Sequence, residues 1–337
     1  MKKDASKEKE GWSRRDFLRA AGIAGAMAAM QKVQKASAQM PAAVADRRLV
    51  GAIDLHIHSA PDVSLRSLND IELAQKAKEL GMRGFIIKNH EFITNDRAYL
   101  VRQVVPGIEA FGGIVLNDSV GGLNPAAVER MIRFTGGYGK IVWLPTFDAA
   151  HHKSFFTKRS EAGGIQVLDG AGHVLPELRK ILRIVARADI ILATGHVSPR
   201  EALLVVRAAK EEGVKRILIT HALASPVQMS LEEMGGCVQM GAFIEHVYVA
   251  HLVGPQAHQE WMRSWRNVSP EAYAQAIKAL GAERSILSSD LGQYLNPTPT
   301  DGMQAFIEGL ASQGISDEEM GWMVRRNPAR LLGLEPL

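Results

Sequence analysis

Residues 52–63 read AIDLHIHSAPDV, and the middle of this stretch, His56-Ile57-His58, decides how the rest of the chain is read. An apolar run that begins at Leu49 ends in two imidazoles separated by one residue. Side chains alternate along a strand, so residues i and i+2 share a face. Both imidazoles then project from one end of the run, and Asp54 shares that face. Imidazole is the commonest transition-metal ligand among side chains, and two on one strand face can hold a single ion. The other ligands must come from elsewhere in the chain.

Residues 1–38 are set apart first. Ser13-Arg14-Arg15-Asp16-Phe17-Leu18-Arg19 is a twin-arginine pattern between a charged start and the apolar stretch 20–30, which is too short to span a bilayer. Ala36-Ser37-Ala38 offers a small-residue cleavage site. The expectation is a signal peptide over 1–38, a single domain over 39–337, export of the folded protein to the periplasm, and no stable membrane anchor. The leader holds nine of the 40 Lys+Arg and four of the 36 Asp+Glu, so the remainder carries 31 basic and 32 acidic side chains. The whole-chain charge of +4 and the pI near 9.1 therefore belong to the leader, and no basic stripe is left to bind nucleic acid. The lone Cys237 cannot form an intrachain disulfide, so stability has to come from an apolar core.

Eight apolar runs follow: residues 50–57, 84–87, 111–116, 141–144, 190–193, 216–219, 242–244 and 285–287. Between them lie helical segments whose starts show a capping residue followed by proline, at Asn124-Pro125, Ser198-Pro199, Ser225-Pro226, Ser269-Pro270 and Asn327-Pro328. Short, continuously apolar strands interleaved with helices predict a parallel sheet covered on both faces, and eight of them an α/β fold of the (β/α)8 barrel type. The wide gap between the fourth and fifth runs predicts an insertion, with a glycine-rich hairpin over 163–175 overhanging the barrel mouth.

In a parallel barrel all C-terminal strand ends meet on one face. Here the runs end in His56-Ile57-His58, Lys88-Asn89-His90, Asn117-Asp118, Thr194-Gly195-His196, Thr220-His221, Glu245-His246 and Ser288-Ser289-Asp290. Polar, ligand-type residues close nearly every strand. Asp62 and Arg66, in the loop after the first strand, join His90 and Asn117 as candidates for substrate binding. Arg66 is placed there because its fork matches a carboxylate. His246, His151 and His152 rank behind them.

These residues resemble the amidohydrolase superfamily of metal-dependent barrel enzymes, whose pattern is HxH after strand one, histidines after strands five and six, and aspartate after strand eight. The resemblance runs from about Leu49 to Leu337, including the closing segment NPARLLGL at 327–334. Within it, the chain is similar to an uncharacterised amidohydrolase-like group with a DLHxHSAPD motif. The resemblance implies that His56, His58, His196, His221 and Asp290 bind one or two divalent ions, zinc foremost, with manganese or iron as alternatives. It also implies that Asp290 and His221 are catalytic.

One departure stands out. Binuclear members bridge their ions with a carboxylated lysine or a glutamate, usually after strand four, and strand four here ends Trp143-Leu144-Pro145-Thr146. Lys88 is the candidate replacement. The expected activity is hydrolysis of an amide, lactone or ester bond in a small molecule. The alternatives are non-oxidative decarboxylation of a small unsaturated or aromatic acid, and metal or ligand binding without turnover. The partners implied are a small-molecule substrate and the twin-arginine export machinery, with self-association left open.

Overall fold

The computed structural model describes residues 47–159 and 163–335, all within one compact unit, Asp46–Leu337. The expected leader over residues 1–38 lies outside the described residues. Eight parallel strands pair in sequence order: β1 (Ile53–Ile57), β2 (Gly84–Ile87), β3 (Glu109–Val115), β4 (Gly139–Trp143), β5 (Ile191–Ala193), β6 (Arg216–Ile219), β7 (Phe243–Val247) and β8 (Ser285–Ser288). With helices between them, this is the (β/α)8 barrel that the apolar runs predict. Ile53, Leu55, Ile86, Phe111, Ile141, Trp143, Ile191, Leu218, Phe243 and Ile286 fill the interior as one cluster. Residues of opposite phase, such as Phe85, Ile87, Val142, Leu192 and Ile217, pack outward beneath the helices.

The seam between β1 and β8 closes through the segment after β8. His58 N donates to Leu291 O and Asp290 N to His56 O, each at 2.8 Å, and Ile57 pairs with Leu291. β1 itself is bulged: its pairing with β2 advances three residues, Asp54 to Ile57, while β2 advances two, Phe85 to Ile87. The extra residue breaks strict alternation, so Leu55 faces the interior cluster while Ile57 packs in the outer one. This corrects the expectation that Asp54 shares a face with His56 and His58. Its carboxylate is spent on the seam, accepting from His56 N at 3.0 Å and from Ser289 N at 3.1 Å.

Three of the five cap–proline pairs do start helices: Asn124, Ser198 and Ser269 each accept from a backbone N–H in the first turn. Ser225 does not, because its hydroxyl accepts from Arg266 N instead. Asn327-Pro328 continues a helical segment already under way, and the Asn327 amide donates to Ala282 O and Ser285 O. The insertion after β4 is present. Its hairpin is reduced to one antiparallel pair, Leu168 with Val174, and it also contains the helix Ala150–Thr157, which has no side-chain cap and gives no clear start signal in the sequence.

Candidate metal centre

β1 delivers His56 and, one residue past its end, His58; β2 delivers Lys88 one residue past its end, and the turn after β8 delivers Asp290. Asp290 adopts φ 50°, a left-handed conformation tolerated by a short polar residue and one that aims its carboxylate across the mouth. His56 Nε2 lies 2.9 Å and His58 Nε2 3.1 Å from Asp290 Oδ1. These three ligating atoms form the one three-residue cluster of metal-binding geometry found among the described residues, and all three residues are buried. Lys88 Nζ lies 2.9 Å from His56 Nε2.

This donor set fits a cation. His56 Nε2 carries at most one proton, so it cannot serve the Asp290 carboxylate and the Lys88 amine in the same way at once. An ion shared by the two imidazoles and the carboxylate resolves that conflict. Two imidazole nitrogens and a carboxylate oxygen are donors that a divalent ion accepts.

Glu245, in the middle of β7, supports the centre from behind. Its Oε2 lies 3.2 Å from His56 Nδ1 and accepts from His221 N at 3.1 Å. A carboxylate on the far nitrogen of a ligating imidazole fixes the tautomer that leaves the near nitrogen free to bind. The sequence shows Glu245 only as part of the strand end Glu245-His246, where the candidate it offers is His246. Strand alternation is the signal that could have found it, because Glu245 is in phase with the interior residue Phe243. His246 points outward, edge-on to Tyr273.

Charge and burial compete at every group. Burial alone would lower the pKa of His56, but the Asp290 and Glu245 carboxylates overcome it and the pKa is raised. His58 is held well below the ordinary imidazole range by burial and then by the Arg66 charge. Burial lowers Lys88 to about 8, with Asp290 and Glu245 resisting, so about a tenth of the amine is neutral at pH 7 and the fraction grows above it. Asp290 stays well below the usual carboxylate range because His56 and His58 outweigh the burial that would raise it.

His196 and His221 stand beside the cluster rather than in it, their ring centroids 4.8 Å apart. The His221 and His56 rings stack at 6.1 Å. His221 Nδ1, Glu245 Oε1 and Trp143 Nε1 are buried with no hydrogen-bond partner among the described residues. His90 stacks on His58 at 4.9 Å and bonds Thr146 Oγ1 through Nδ1. Asn117 is built into the wall behind it: its amide donates to His90 O and to Thr146 Oγ1 and accepts from Thr146 N. Arg66 is bound to Asp62 through Nε at 2.9 Å and Nη2 at 2.8 Å, which occupies the fork expected to hold a substrate carboxylate. The same Nη2 sits 3.5 Å from His58 Nδ1.

A cavity of about 840 Å³ opens directly on this cluster, with His58, Lys88, His90, His196 and Asp290 in its floor. Its walls include Phe147, Phe156, Trp261 and Trp265, and Val63, Leu65 and Leu295 stand exposed at its rim. Asp62 and Arg66 line it, whereas His56, His221 and Asn117 do not.

No curated protein matches the chain. Among solved structures it is similar to an organophosphorus hydrolase from Deinococcus radiodurans, at 16% identity over 84% of this chain and 93% of that one, with a TM-score of 0.56. It is also similar to a protein engineered for organophosphate hydrolysis from a weak promiscuous lactonase template, at 16% identity over 86% and 98%, TM-score 0.56. A third is an apo protein from Agrobacterium tumefaciens, at 12% identity over 86% and 97%, TM-score 0.52. At such identities the likeness is one of fold. A family model described as "Family of unknown function (DUF6282)" matches residues 51–245, more than half of the sequence and including His56, His58, Lys88, His196, His221 and Glu245; the chain belongs to that family.

Proposed function

We propose that the chain is a metal-dependent hydrolase acting on an amide, lactone or ester bond of a small molecule. The observation that carries this reading is the convergence of His56 Nε2, His58 Nε2 and Asp290 Oδ1, with His58 and Asp290 opening on a cavity large enough for such a substrate. The similar barrels include proteins described as an organophosphorus hydrolase and as derived from a lactonase, which agrees with it. A divalent ion held by these three residues would supply a Lewis acid and a water made acidic enough to deprotonate near neutral pH.

The chain's own groups do the rest. Asp290, kept ionised by the two imidazoles, accepts the water's proton at its carboxylate and passes it to the leaving group. Glu245 holds His56 in place. His221, buried and unprotonated over the neutral range because burial lowers it to about 4, faces the same centre and is the proposed electrophile or second ligand. The aromatic walls exclude water and seat the apolar part of the substrate. Lys88, as a neutral amine, is the proposed bridging group once carboxylated.

A second reading has one observation in its favour. Lys88 is 1% exposed and has no carboxylate within ion-pair distance among the described residues, so it could receive a substrate carboxylate in a decarboxylase. The test is a panel of esters, lactones, amides and unsaturated or aromatic acids, assayed with the full chain loaded with zinc, manganese or iron. Hydrolysis that needs the ion and vanishes in Asp290→Asn supports the first reading. Carbon dioxide release confined to the acids selects the second.

We also propose export by the twin-arginine route, supported by residues 13–19 alone. Arg14→Lys with Arg15→Lys should hold the protein in the cytoplasm, and unchanged periplasmic yield would refute it. No helix of the described residues is long and apolar enough to cross a membrane.

A further inference from the structure

We infer that His152, carried over the barrel mouth by the insertion helix Ala150–Thr157, is a positioning residue that fixes the tautomer and orientation of His196. The inference deepens the proposed metal-centre reading, which gives His196 a role at that centre, but its own test is independent of turnover. His152 Nδ1 and His196 Nδ1 lie 2.8 Å apart, and the rings meet nearly edge to edge, with centroids 4.8 Å apart and planes inclined by 23°. Two nitrogens at that separation are in contact only if one carries a proton and the other a lone pair. The contact therefore settles which nitrogen of each ring is protonated, once the donor is known.

The role proposed for His196 at the centre selects the donor. His196 is 2% exposed and lines the cavity beside His58, Lys88 and Asp290. If His152 were the donor, neutral His196 would carry its proton on Nε2 and turn an N–H, which can neither bind a cation nor accept a proton, toward the cavity. If His196 donates from Nδ1, its Nε2 is a lone pair facing the cavity, and His152 Nε2–H lies on a half-buried ring that lines the cavity and can reach water. Only the second arrangement fits the role proposed for His196. It also gives His196 the one neutral form able to bind a cation or accept a proton at Nε2.

The helix is anchored so that this contact is held. His151 Nε2 meets Pro226 O at 3.0 Å, reaching the loop after β6, and Phe156 stacks on Trp265 at 5.4 Å. His152 itself is packed against Phe156 at 4.7 Å and edge-on to Phe147 at 5.2 Å. A residue there for packing alone would need no nitrogen on the side facing His196.

The test is the tautomer of His196, read from long-range proton–nitrogen correlations of the metal-free, full-length protein labelled with nitrogen-15 in histidine. The His196 signals are assigned by their loss in His196→Asn. The wild type should show His196 protonated at Nδ1 and bare at Nε2. His152→Phe keeps an aromatic ring against Phe147 and Phe156 and removes the acceptor, so it should shift His196 to a mixture or to the Nε2–H form and weaken zinc uptake by about tenfold or more. His152→Asn restores an acceptor and should recover the wild-type tautomer and uptake. Nε2–H on His196 in the wild type, or a tautomer unchanged in His152→Phe, would overturn the inference. Because the wild-type spectrum is read without metal or substrate, it stands even if the hydrolase reading fails.

Discussion

Glu245 is the residue on which the account of the centre is most exposed at the smallest scale. It is fully buried, in contact with His56 Nδ1, and has one oxygen unpartnered. Burial would raise its pKa, yet His56 and His221 hold it below the ordinary carboxylate value, so it acts as an anion facing imidazoles. Glu245→Gln keeps the shape and removes the charge. It should lower zinc affinity by about 10- to 100-fold while leaving the fold intact, as measured by competition with a chelator and by circular dichroism. An unchanged affinity would mean that the carboxylate serves packing alone.

Asp54 makes a prediction of the opposite electrostatic kind. Burial raises its carboxyl from 3.8 to about 7, despite bonds from Ser289 and His56. The folded state then binds a proton more tightly than the unfolded chain, so this group's contribution to stability is complete below pH ~4 and is lost as pH rises through about 7. Asp54→Asn is neutral throughout. Relative to the wild type it should gain stability between about pH 4 and pH 7 in urea unfolding of the metal-free protein, with a ceiling of ~4 kcal/mol from the full shift. A difference independent of pH would show that Asp54 is ionised in both states.

At the scale of elements, the seam between β1 and β8 is the weak point of the barrel, because direct strand pairing there is replaced by the turn after β8. Gly292 makes that turn possible. It sits at φ 130°, and a Cβ there would lie 1.7 Å from His58 O. Gly292→Ala must move either that turn or the ligand-bearing end of β1. It should cost more than ~3 kcal/mol and lose metal together with stability. Gly213, after the helix Pro199–Glu211, also has positive φ, at 86°, but a Cβ there meets nothing within 4 Å. Gly213→Ala should cost only ~1–2 kcal/mol and leave metal binding untouched. Thermal unfolding with and without zinc separates the two, and equal losses would contradict the role given to the seam.

Elements also show where the sequence is legible. β2 and β6 coincide with their apolar runs, because a strand buried on both faces must be apolar throughout and glycine or a charge marks its start. The phase of β1 was not legible, since a bulge is decided by pairing with β2 and leaves no mark in IDLHI. The helix Ala150–Thr157 was missed for a different reason: AHHKSFFT has no cap and no apolar stripe of its own, and tertiary contacts at His151, His152 and Phe156 hold it. At the site, His56, His58, Lys88 and Asp290 could be named because barrel topology collects strand ends. The Asp62–Arg66 pair could not, because both belong to a loop whose path depends on Ser67 N reaching Gly292 O and Tyr294 N reaching Leu65 O.

For the whole molecule, the barrel, the cavity and the ligand cluster are parts of one claim: the fold exists here to hold a divalent ion at the base of an apolar-walled mouth. The most direct measurement is elemental analysis of the purified full-length protein after exposure to zinc and dialysis, for the wild type and for His56→Ala with His58→Ala. The wild type should retain at least one ion per chain, and the double variant, still folded, should lose most of it. The second ion, if Lys88 bridges two, should disappear in Lys88→Ala while the first remains. Metal content that stays at the wild-type level in the folded His56→Ala, His58→Ala protein, or a folded wild type that retains none, would contradict the account.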